Sequence, residues 1–198
     1  MASSSESVLQ LQPGDVLVTR GKGLLSKAIR FFTRRIGESR TKINHVGVIV
    51  EGGPLEEVWV VEALWKVVRR RIVDGYGAKG SSDVGIFRPI NLTGEEIRTV
   101  VDAASGYVGR RYGVLKLVTH LADWVLQGAY VFRRLTNDDR YPICSWLVAC
   151  SFEKAGKTFG VAPGAASPDD IWDFCTRETD KYAQVLELGP LGRVGVEE

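Results

Sequence analysis

The sequence predicts an α+β fold, in which a small antiparallel sheet or half-barrel packs against helices. Short segments rich in β-branched residues, bounded by glycine and proline turns, occupy the first half of the chain and are typical of strands. In the second half, apolar residues recur at helical spacing between helix start and stop signals. The length of 198 residues, with 44% hydrophobic and 25% charged residues, corresponds to one ordinary globular domain.

The domain organisation follows from the same composition. We expect a flexible leader over residues 1–12, one domain over 13–190 and a flexible tail over 191–198. The leader lacks the basic start and the apolar core of a signal peptide, and charged residues interrupt the most apolar long stretch, 114–132. These features predict a cytoplasmic protein.

Six segments are predicted to be strands. They are DVLVTR (15–20), HVGVIV (45–50), VWVVEAL (58–64), KVVRRRIV (66–73), DVGIFRP (83–89) and YAQVLEL (182–188). The near-continuous apolar run of 45–50 is expected of a strand that is buried on both faces. The segment 66–73 alternates charged and apolar residues, which indicates one face in water. A turn at Gly53-Pro54 is predicted to join the strands 45–50 and 58–64 into a hairpin.

Five segments are predicted to be helices: 24–36, 93–108, 112–132, 144–156 and 168–174. A capping box of Thr93 and Glu96 opens the second of these helices. Gly156 is expected to end the fourth helix, and Pro168 occupies the favoured first position of the last helix.

The net charge of +2, from 26 basic and 24 acidic residues, is too small to indicate a nucleic-acid-binding protein. The charges are unevenly distributed, because eight basic residues and one acid, Glu38, lie between Arg20 and Lys42. This basic segment, which includes the predicted helix 24–36, could be a solvated helix face. It could also attract an anionic substrate or a lipid headgroup.

The scarce residues limit the chemistry. Three cysteines without paired spacing argue against a disulfide scaffold, and two histidines without a C-x-x-C motif argue against a four-ligand zinc site. The chemistry that this composition leaves is that of one thiol and one imidazole. Chemistry by a thiol and an imidazole requires neither a metal nor an organic cofactor, so we expect none.

Cys144 is the candidate nucleophile among the three cysteines. It lies at the predicted start of a helix, where free backbone N–H groups and the helix dipole stabilise a thiolate and could bind an oxyanion. A buried, inert thiol is the alternative interpretation. Cys150 lies in the middle of the same helix and is expected to pack in the core. Cys175 lies at the end of a helix, where the dipole disfavours a thiolate.

His45 is the candidate base. If Gly53-Pro54 is the centre of the hairpin turn, His45 lies directly across from Glu62, a carboxylate in an otherwise apolar strand that needs a partner when it is buried. An imidazole held by a carboxylate is oriented and made more basic. A purely structural ion pair, or another strand register, remains the alternative. His120 is expected on the polar face of the helix 112–132.

The order of these motifs resembles a known family. Gly14-Asp15 opens a strand, His-Val-Gly follows at 45–47, Val-Glu-Ala at 61–63 and Cys-Ser-x-Leu-Val at 144–148. This order resembles the circularly permuted branch of the NlpC-type, papain-like cysteine hydrolases, the YiiX/YebB-like group that is related to lecithin retinol acyltransferase-like proteins. In unpermuted members the cysteine helix precedes the histidine strand. The resemblance spans roughly residues 13–175.

The resemblance implies a papain-like fold and a Cys-His-Glu triad. Cys144 matches the nucleophile, His45 the base and Glu62 the orienting residue. Tyr112 matches the tyrosine of a Gly-x-x-Tyr-Asp segment, although Gly113 replaces the aspartate.

Other positions are expected to contribute to substrate binding. Tyr141 and Ser145, together with Tyr112, are expected to contact substrate. Trp146 stands where relatives often carry glutamate.

The function that the resemblance implies is hydrolysis of an amide bond, in a peptide or cell-wall-type substrate, through a thioester on the cysteine. A lipid-directed acyltransferase or phospholipase that uses the same residues is the first alternative. A binding module without catalysis is the second. The expected partner is a small peptide or acyl substrate.

Overall fold

The computed structural model describes residues 9–21, 42–77, 82–111 and 143–191. Within these ranges the chain has the predicted α+β architecture, with antiparallel sheets packed against helices. The predicted helices 24–36 and 112–132 lie outside the described residues, and so do Tyr112, His120 and Tyr141. In the part of the chain that is described, no helix combines the length and the apolar character needed to cross a membrane.

The strands form one large sheet and one small one. Their bounds are β1 Gln10–Leu11, β2 Val16–Gly21, β3 His45–Glu51, β4 Gly53–Pro54, β5 Trp59–Ala63, β6 Val67–Arg71, β7 Ser82–Pro89 and β8 Tyr182–Pro190. The large sheet has the order β6-β5-β3-β2-β7-β8, and each neighbouring pair is antiparallel. β1 and β4 pair with each other.

Three of the four helices in the described ranges begin within one residue of the predicted position, and the other, α1 (Ile72–Tyr76), was not predicted. Their bounds are α1 Ile72–Tyr76, α2 Gly94–Ser105, α3 Cys144–Lys154 and α4 Pro168–Arg177. α2 begins with the predicted capping box of Thr93 and Glu96, and Ser167 forms a second box before α4. Gly156, with a φ of 71°, follows the end of α3 and adopts the left-handed conformation that glycine tolerates best.

The large sheet is covered on both faces, because its strands alternate between two hydrophobic cores. The helix-side core contains Val46 and Val48 of β3 together with Leu147 and Phe152 of α3. The α1-side core contains Ile49 and Val60 of the sheet together with Ile72 and Tyr76 of α1. β3 is therefore buried on both faces, as its apolar run predicts.

Two predictions around the second hairpin were wrong. The strand expected over 66–73 ends at Arg71, because α1 begins at Ile72 and buries this side chain in the α1-side core. Gly53-Pro54 is not the hairpin turn, since these residues pair with β1 and a 3-10 turn over Leu55–Glu57 follows them. The longer connection places Glu62 opposite Gly47 rather than opposite His45.

Described residues at the inner ends of the predicted leader and tail belong to the folded part of the chain. Gln10 and Leu11 form β1, and the Leu11 side chain is buried in the α1-side core. Leu191, the first residue of the expected tail, is buried in the same core. Residues 1–8 and 192–198 lie outside the described ranges.

Candidate active site

Cys144 and His45 come together because each is the first residue of its element. β3 begins at His45 and α3 begins at Cys144, and α3 packs against β3 in the helix-side core. The imidazole is hydrogen-bonded to the Cys144 sulfur. Cys144 is 6% exposed and the His45 side chain is 14% exposed. Residues that lie 99 positions apart in the chain thus form one pair.

Glu62 completes a chain of three groups. Its Oε2 lies 2.6 Å from His45 Nε2, and its side chain is fully buried. Since Nε2 faces the carboxylate, Nδ1 is the ring nitrogen that remains for the Cys144 sulfur. The ring is thereby fixed between a thiol and a carboxylate, which is the arrangement of a cysteine-nucleophile site.

Gly47 explains how Glu62 reaches the imidazole. Glu62 pairs across the ladder with Gly47, so His45 is its diagonal neighbour on the same face of the sheet. A Cβ at Gly47 would lie 3.2 Å from the Glu62 Cβ and 2.9 Å from a Val60 methyl group. Because Gly47 has no side chain, the Glu62 side chain has room to extend past it toward His45.

The Glu62 carboxylate has two further donors. Arg70 Nε donates to Oε1 at 2.5 Å, and the Tyr76 hydroxyl donates to Oε2 at 2.5 Å. Burial acts to raise the pKa of Glu62, but the hydrogen bonds from His45 and Tyr76 and the charges of His45 and Arg70 lower it to about 2. Glu62 is therefore a carboxylate at neutral pH.

The electrostatics of the pair favour a thiolate and an imidazolium. Burial acts to lower the pKa of His45, but the charge and hydrogen bond of Cys144, followed by those of Glu62, raise it to about 10. Burial acts to raise the pKa of the Cys144 thiol, but the charge and hydrogen bond of His45 outweigh this effect and lower it. The site thus has the charge distribution that activates a thiol.

Two backbone groups add to this stabilisation. The N–H groups of Val46 and Ser145 donate to the Cys144 sulfur and lower its pKa further. α3 begins after Ile143, which has no side-chain cap, whereas α2 and α4 begin with capping boxes. The Ser145 N–H at the start of α3 is therefore directed to the sulfur rather than to a capping side chain.

The other two thiols are placed as the sequence predicts. Cys150 lies in the helix-side core, with its sulfur 3.6 Å from the Tyr107 hydroxyl. Cys175 is buried near the end of α4, where burial raises the pKa of its thiol well above the usual range. Neither thiol has the environment of Cys144.

Ser145 and Trp146 face the protein interior. The Ser145 hydroxyl is fully buried and donates to the Ala166 carbonyl at 2.6 Å, so this residue contributes its backbone N–H to the site. The Trp146 ring packs edge-on against Tyr107, at 5.2 Å between centroids. Tyr112 and Tyr141, the other predicted substrate contacts, lie outside the described residues.

Arg70, Tyr76 and Gly47 were not identified from the sequence. A signal for the first two existed, because a buried carboxylate has two oxygens and a single imidazole satisfies only one of them. The alternation of charged and apolar residues over 66–73 predicts charged side chains in water, and this pattern conceals the contact of Arg70 with Glu62. Tyr76 belongs to α1, which was not predicted.

The described residues offer no metal centre. Among them, no group of three or more histidine, cysteine, aspartate or glutamate side chains is arranged to hold a metal ion.

Comparison with known proteins supports the fold. No family model matches the sequence, and no curated protein matches it. The structure is similar to a crystal structure described as that of the metalloprotein YiiX from Escherichia coli O157:H7, a DUF1105 protein. The TM-score is 0.61 at 18% sequence identity, and the alignment covers 90% of this chain and 98% of that chain. This similarity shows that the chain has a YiiX-like fold.

Proposed function

We propose that this chain is a cysteine hydrolase that cleaves an amide bond through an acyl-thioester intermediate. The observation that carries the proposal is the hydrogen-bonded series of Cys144, His45 and Glu62, in which Cys144 is the first residue of α3. The three groups have the contacts and the charge states that nucleophilic catalysis by a thiol needs. The preference for an amide in a peptide or cell-wall-type substrate comes from the sequence resemblance.

The first half of the reaction forms the thioester. The Cys144 thiolate attacks the carbonyl carbon, and the negative charge moves from sulfur to the carbonyl oxygen. The Ser145 N–H, which donates to the sulfur at the start of α3, can then donate to the oxyanion that forms beside the sulfur. The His45 imidazolium then gives its proton to the leaving amine, and the C–N bond breaks.

The second half releases the acid. Neutral His45 takes a proton from water, and the resulting hydroxide attacks the thioester carbon. The C–S bond breaks, and the thiolate and the imidazolium are restored. Glu62 stays ionised throughout and holds the imidazole in position.

Two measurements test this proposal. Iodoacetamide labelling followed by peptide mass spectrometry should show that Cys144 reacts faster than Cys150 near neutral pH. Cys144 has a lowered pKa and an imidazole partner, whereas Cys150 lies in the helix-side core beside the Tyr107 hydroxyl. An activated acyl substrate such as p-nitrophenyl acetate should leave an acyl group on Cys144 that hydroxylamine removes. Equal labelling of the two thiols, or a missing acyl adduct, would support a binding module without catalysis.

The structural neighbour is described as a metalloprotein, which raises the question of a metal at this site. The described residues do not fit one. Both oxygens of Glu62 already accept hydrogen bonds, and the Arg70 guanidinium lies against this carboxylate. Cys144 and His45 alone are fewer ligands than a stable protein site uses. The mechanism above therefore has no step at a metal.

A second candidate function is the same acyl chemistry on lipids. Trp65, in the turn between β5 and β6, is 82% exposed. Lys66, the next residue, pairs through its backbone with Arg111, and both cations are exposed. We call these three residues the Trp65 patch. The turn follows the end of β5, beside the start of β3 where His45 lies. An exposed tryptophan in a turn that also carries exposed cations suits the interface of an anionic bilayer.

Vesicle flotation tests this candidate. With Cys144→Ser protein, vesicles containing phosphatidylserine should carry the chain upward at low salt, and Trp65→Ala should reduce the floated fraction. Ile90→Ala is the matched control, because Ile90 is also exposed, at 49%, but follows β7. If Trp65→Ala floats as well as the control, the patch does not bind membranes and the lipid alternative loses its support.

A further inference from the structure

We propose that Arg70 is a positioning residue that acts through Glu62, and that its positive charge balances the site so that Cys144 rests as a thiolate. This inference rests on the proposed function, since it concerns the charge state of the same nucleophile. It assigns a role to a side chain that touches neither the sulfur nor the expected position of a substrate.

The sheet geometry places the three charged groups in a line. Gly47 and Val68 are the partners of Glu62 on its two neighbouring strands. His45 lies two residues before Gly47, and Arg70 lies two residues after Val68. Side chains two positions apart share a face, so the imidazole, the carboxylate and the guanidinium run diagonally across β3, β5 and β6.

Neighbouring residues hold the Arg70 guanidinium in position. Its guanidinium lies over the Tyr76 ring, 5.0 Å from the centroid, and donates from Nε to Glu62 Oε1. A Cβ at Gly75 would overlap this guanidinium, so the glycine of α1 leaves the space that Arg70 fills. Arg70 is therefore held against Glu62 from two elements.

The charge of Arg70 makes the group of four ionised side chains neutral. A thiolate, an imidazolium, a carboxylate and a guanidinium sum to zero. Without the guanidinium, the same thiolate state carries a net negative charge in a buried site, which is costly. The neutral state is then the one in which Cys144 keeps its proton. Loss of the Arg70 charge should therefore raise the pKa of Cys144 while His45 and Glu62 remain paired.

The titratable groups that meet at the site come from five elements of the fold. Glu62 contacts His45 of β3, Arg70 of β6 and Tyr76 of α1. His45 in turn contacts Cys144 of α3. Tyr76 donates a hydrogen bond but carries no charge, so its loss changes orientation without changing the sum. Tyr76→Phe and Arg70→Gln thus separate orientation from charge.

The strand itself supplies a matched control. Arg71 lies next to Arg70 in β6 and therefore points to the opposite face, where its guanidinium is 5.7 Å from the Trp59 ring centroid. Arg71→Gln removes the same charge from the same strand. It should leave Cys144 unchanged, because it does not face Glu62.

The experiment measures the iodoacetamide labelling rate of Cys144 against pH, by mass spectrometry, in the full-length chain. Arg70→Gln should raise the apparent pKa of the thiol by about one unit or more, which slows labelling about tenfold below that pKa. Arg70→Lys, which keeps the charge, should restore most of the rate. Tyr76→Phe should shift the pKa less than Arg70→Gln, and Arg71→Gln should follow the wild type.

Each outcome bears on the inference. A profile of Arg70→Gln that coincides with the wild type overturns it, and so does an equal shift in Arg71→Gln. Arg70→Gln should fold at about pH 6, because its protonated-thiol form is neutral. If circular dichroism shows it unfolded there, Arg70 is needed for folding whatever the charge of Cys144, and the inference fails. If the wild-type Cys144 reacts no faster than Cys150, the proposed function itself fails.

Discussion

Glu62 lies across the β3–β5 ladder from Gly47, and its carboxylate reaches past this glycine to His45 Nε2 at 2.6 Å. The contact is diagonal and depends on the space beside Gly47, because a Cβ there would lie 2.9 Å from a methyl group of Val60. His-Val-Gly is therefore a structural unit, in which the third residue makes room for the partner of the first.

Gly47→Ala should weaken the site through this contact. The added methyl must displace Glu62 or Val60, so we expect a loss of about 1–3 kcal/mol in the free energy of unfolding and slower labelling of Cys144. Gly94→Ala is the control, because a Cβ at Gly94 meets nothing within 4 Å. Urea denaturation and labelling rates provide the measurements. An alanine variant as stable and as reactive as the control would show that Glu62 does not need the space.

His45→Ala should remove most of the reactivity of Cys144. The imidazolium is the main cause of the lowered pKa of the thiol, and without it only the N–H groups of Val46 and Ser145 would oppose the effect of burial, which raises that pKa. We expect the labelling rate near neutral pH to fall by about tenfold or more, since each unit of pKa changes the thiolate fraction about tenfold. The labelling of Cys150 in the same sample is the internal control. An unchanged rate at Cys144 would remove His45 from the mechanism.

Glu62→Gln should lower activity while the fold is retained. The glutamine can still accept from Arg70, but it leaves a half-buried guanidinium without its counter-charge, so the free energy of unfolding should fall by about 1–3 kcal/mol. His45 also loses the carboxylate that supports its protonated form. Circular dichroism checks the fold, and turnover of an activated acyl substrate checks the function. A fully active variant would make Glu62 a structural residue only.

Amide hydrolysis should decline at high pH because His45 loses its proton, whereas thiol labelling should not. Because the pKa of His45 is raised to about 10, its proton is available to the leaving group below that pH and is lost above it. Amide hydrolysis should therefore decline above about pH 10, whereas alkylation, which needs only the thiolate, should persist. Parallel profiles that fall together at this pH would argue against His45 as the general acid.

The stability should fall at low pH through Glu62. Its pKa is about 2 in the folded protein and ordinarily 4.5, so the carboxylate stabilises the folded state above pH 4.5 and this contribution is lost as the pH falls toward 2. Thermal unfolding of the wild type should show this decline, and Glu62→Gln should show a smaller one. Parallel declines in both proteins would assign the acid sensitivity to other carboxylates.

Much of the architecture is encoded locally. The pattern of β-branched residues predicts the six strands of the large sheet within a few positions, and the capping box at Thr93 and the glycine at 156 predict helix ends that the structure confirms. The start of α3 at Cys144 is encoded in the same way. Each of these features depends on neighbours within a few residues, which a sequence displays directly.

The contacts of the site depend on pairings between distant segments. The extra pairing of Gly53-Pro54 with β1 moved the register of β3 and β5 by two residues, yet His45 and Glu62 still meet. They meet because side chains in a strand alternate with a period of two, so a shift of two keeps both on one face.

The sequence by itself therefore determined an α+β fold and a cysteine at a helix start. Only the tertiary structure decided how the buried charge of Glu62 is shared, because Arg70 and Tyr76 reach it from a neighbouring strand and from a helix that no periodic pattern predicts. Satisfying a buried carboxylate requires several donors at once, and which donors arrive is set by sheet register and packing rather than by spacing along the chain.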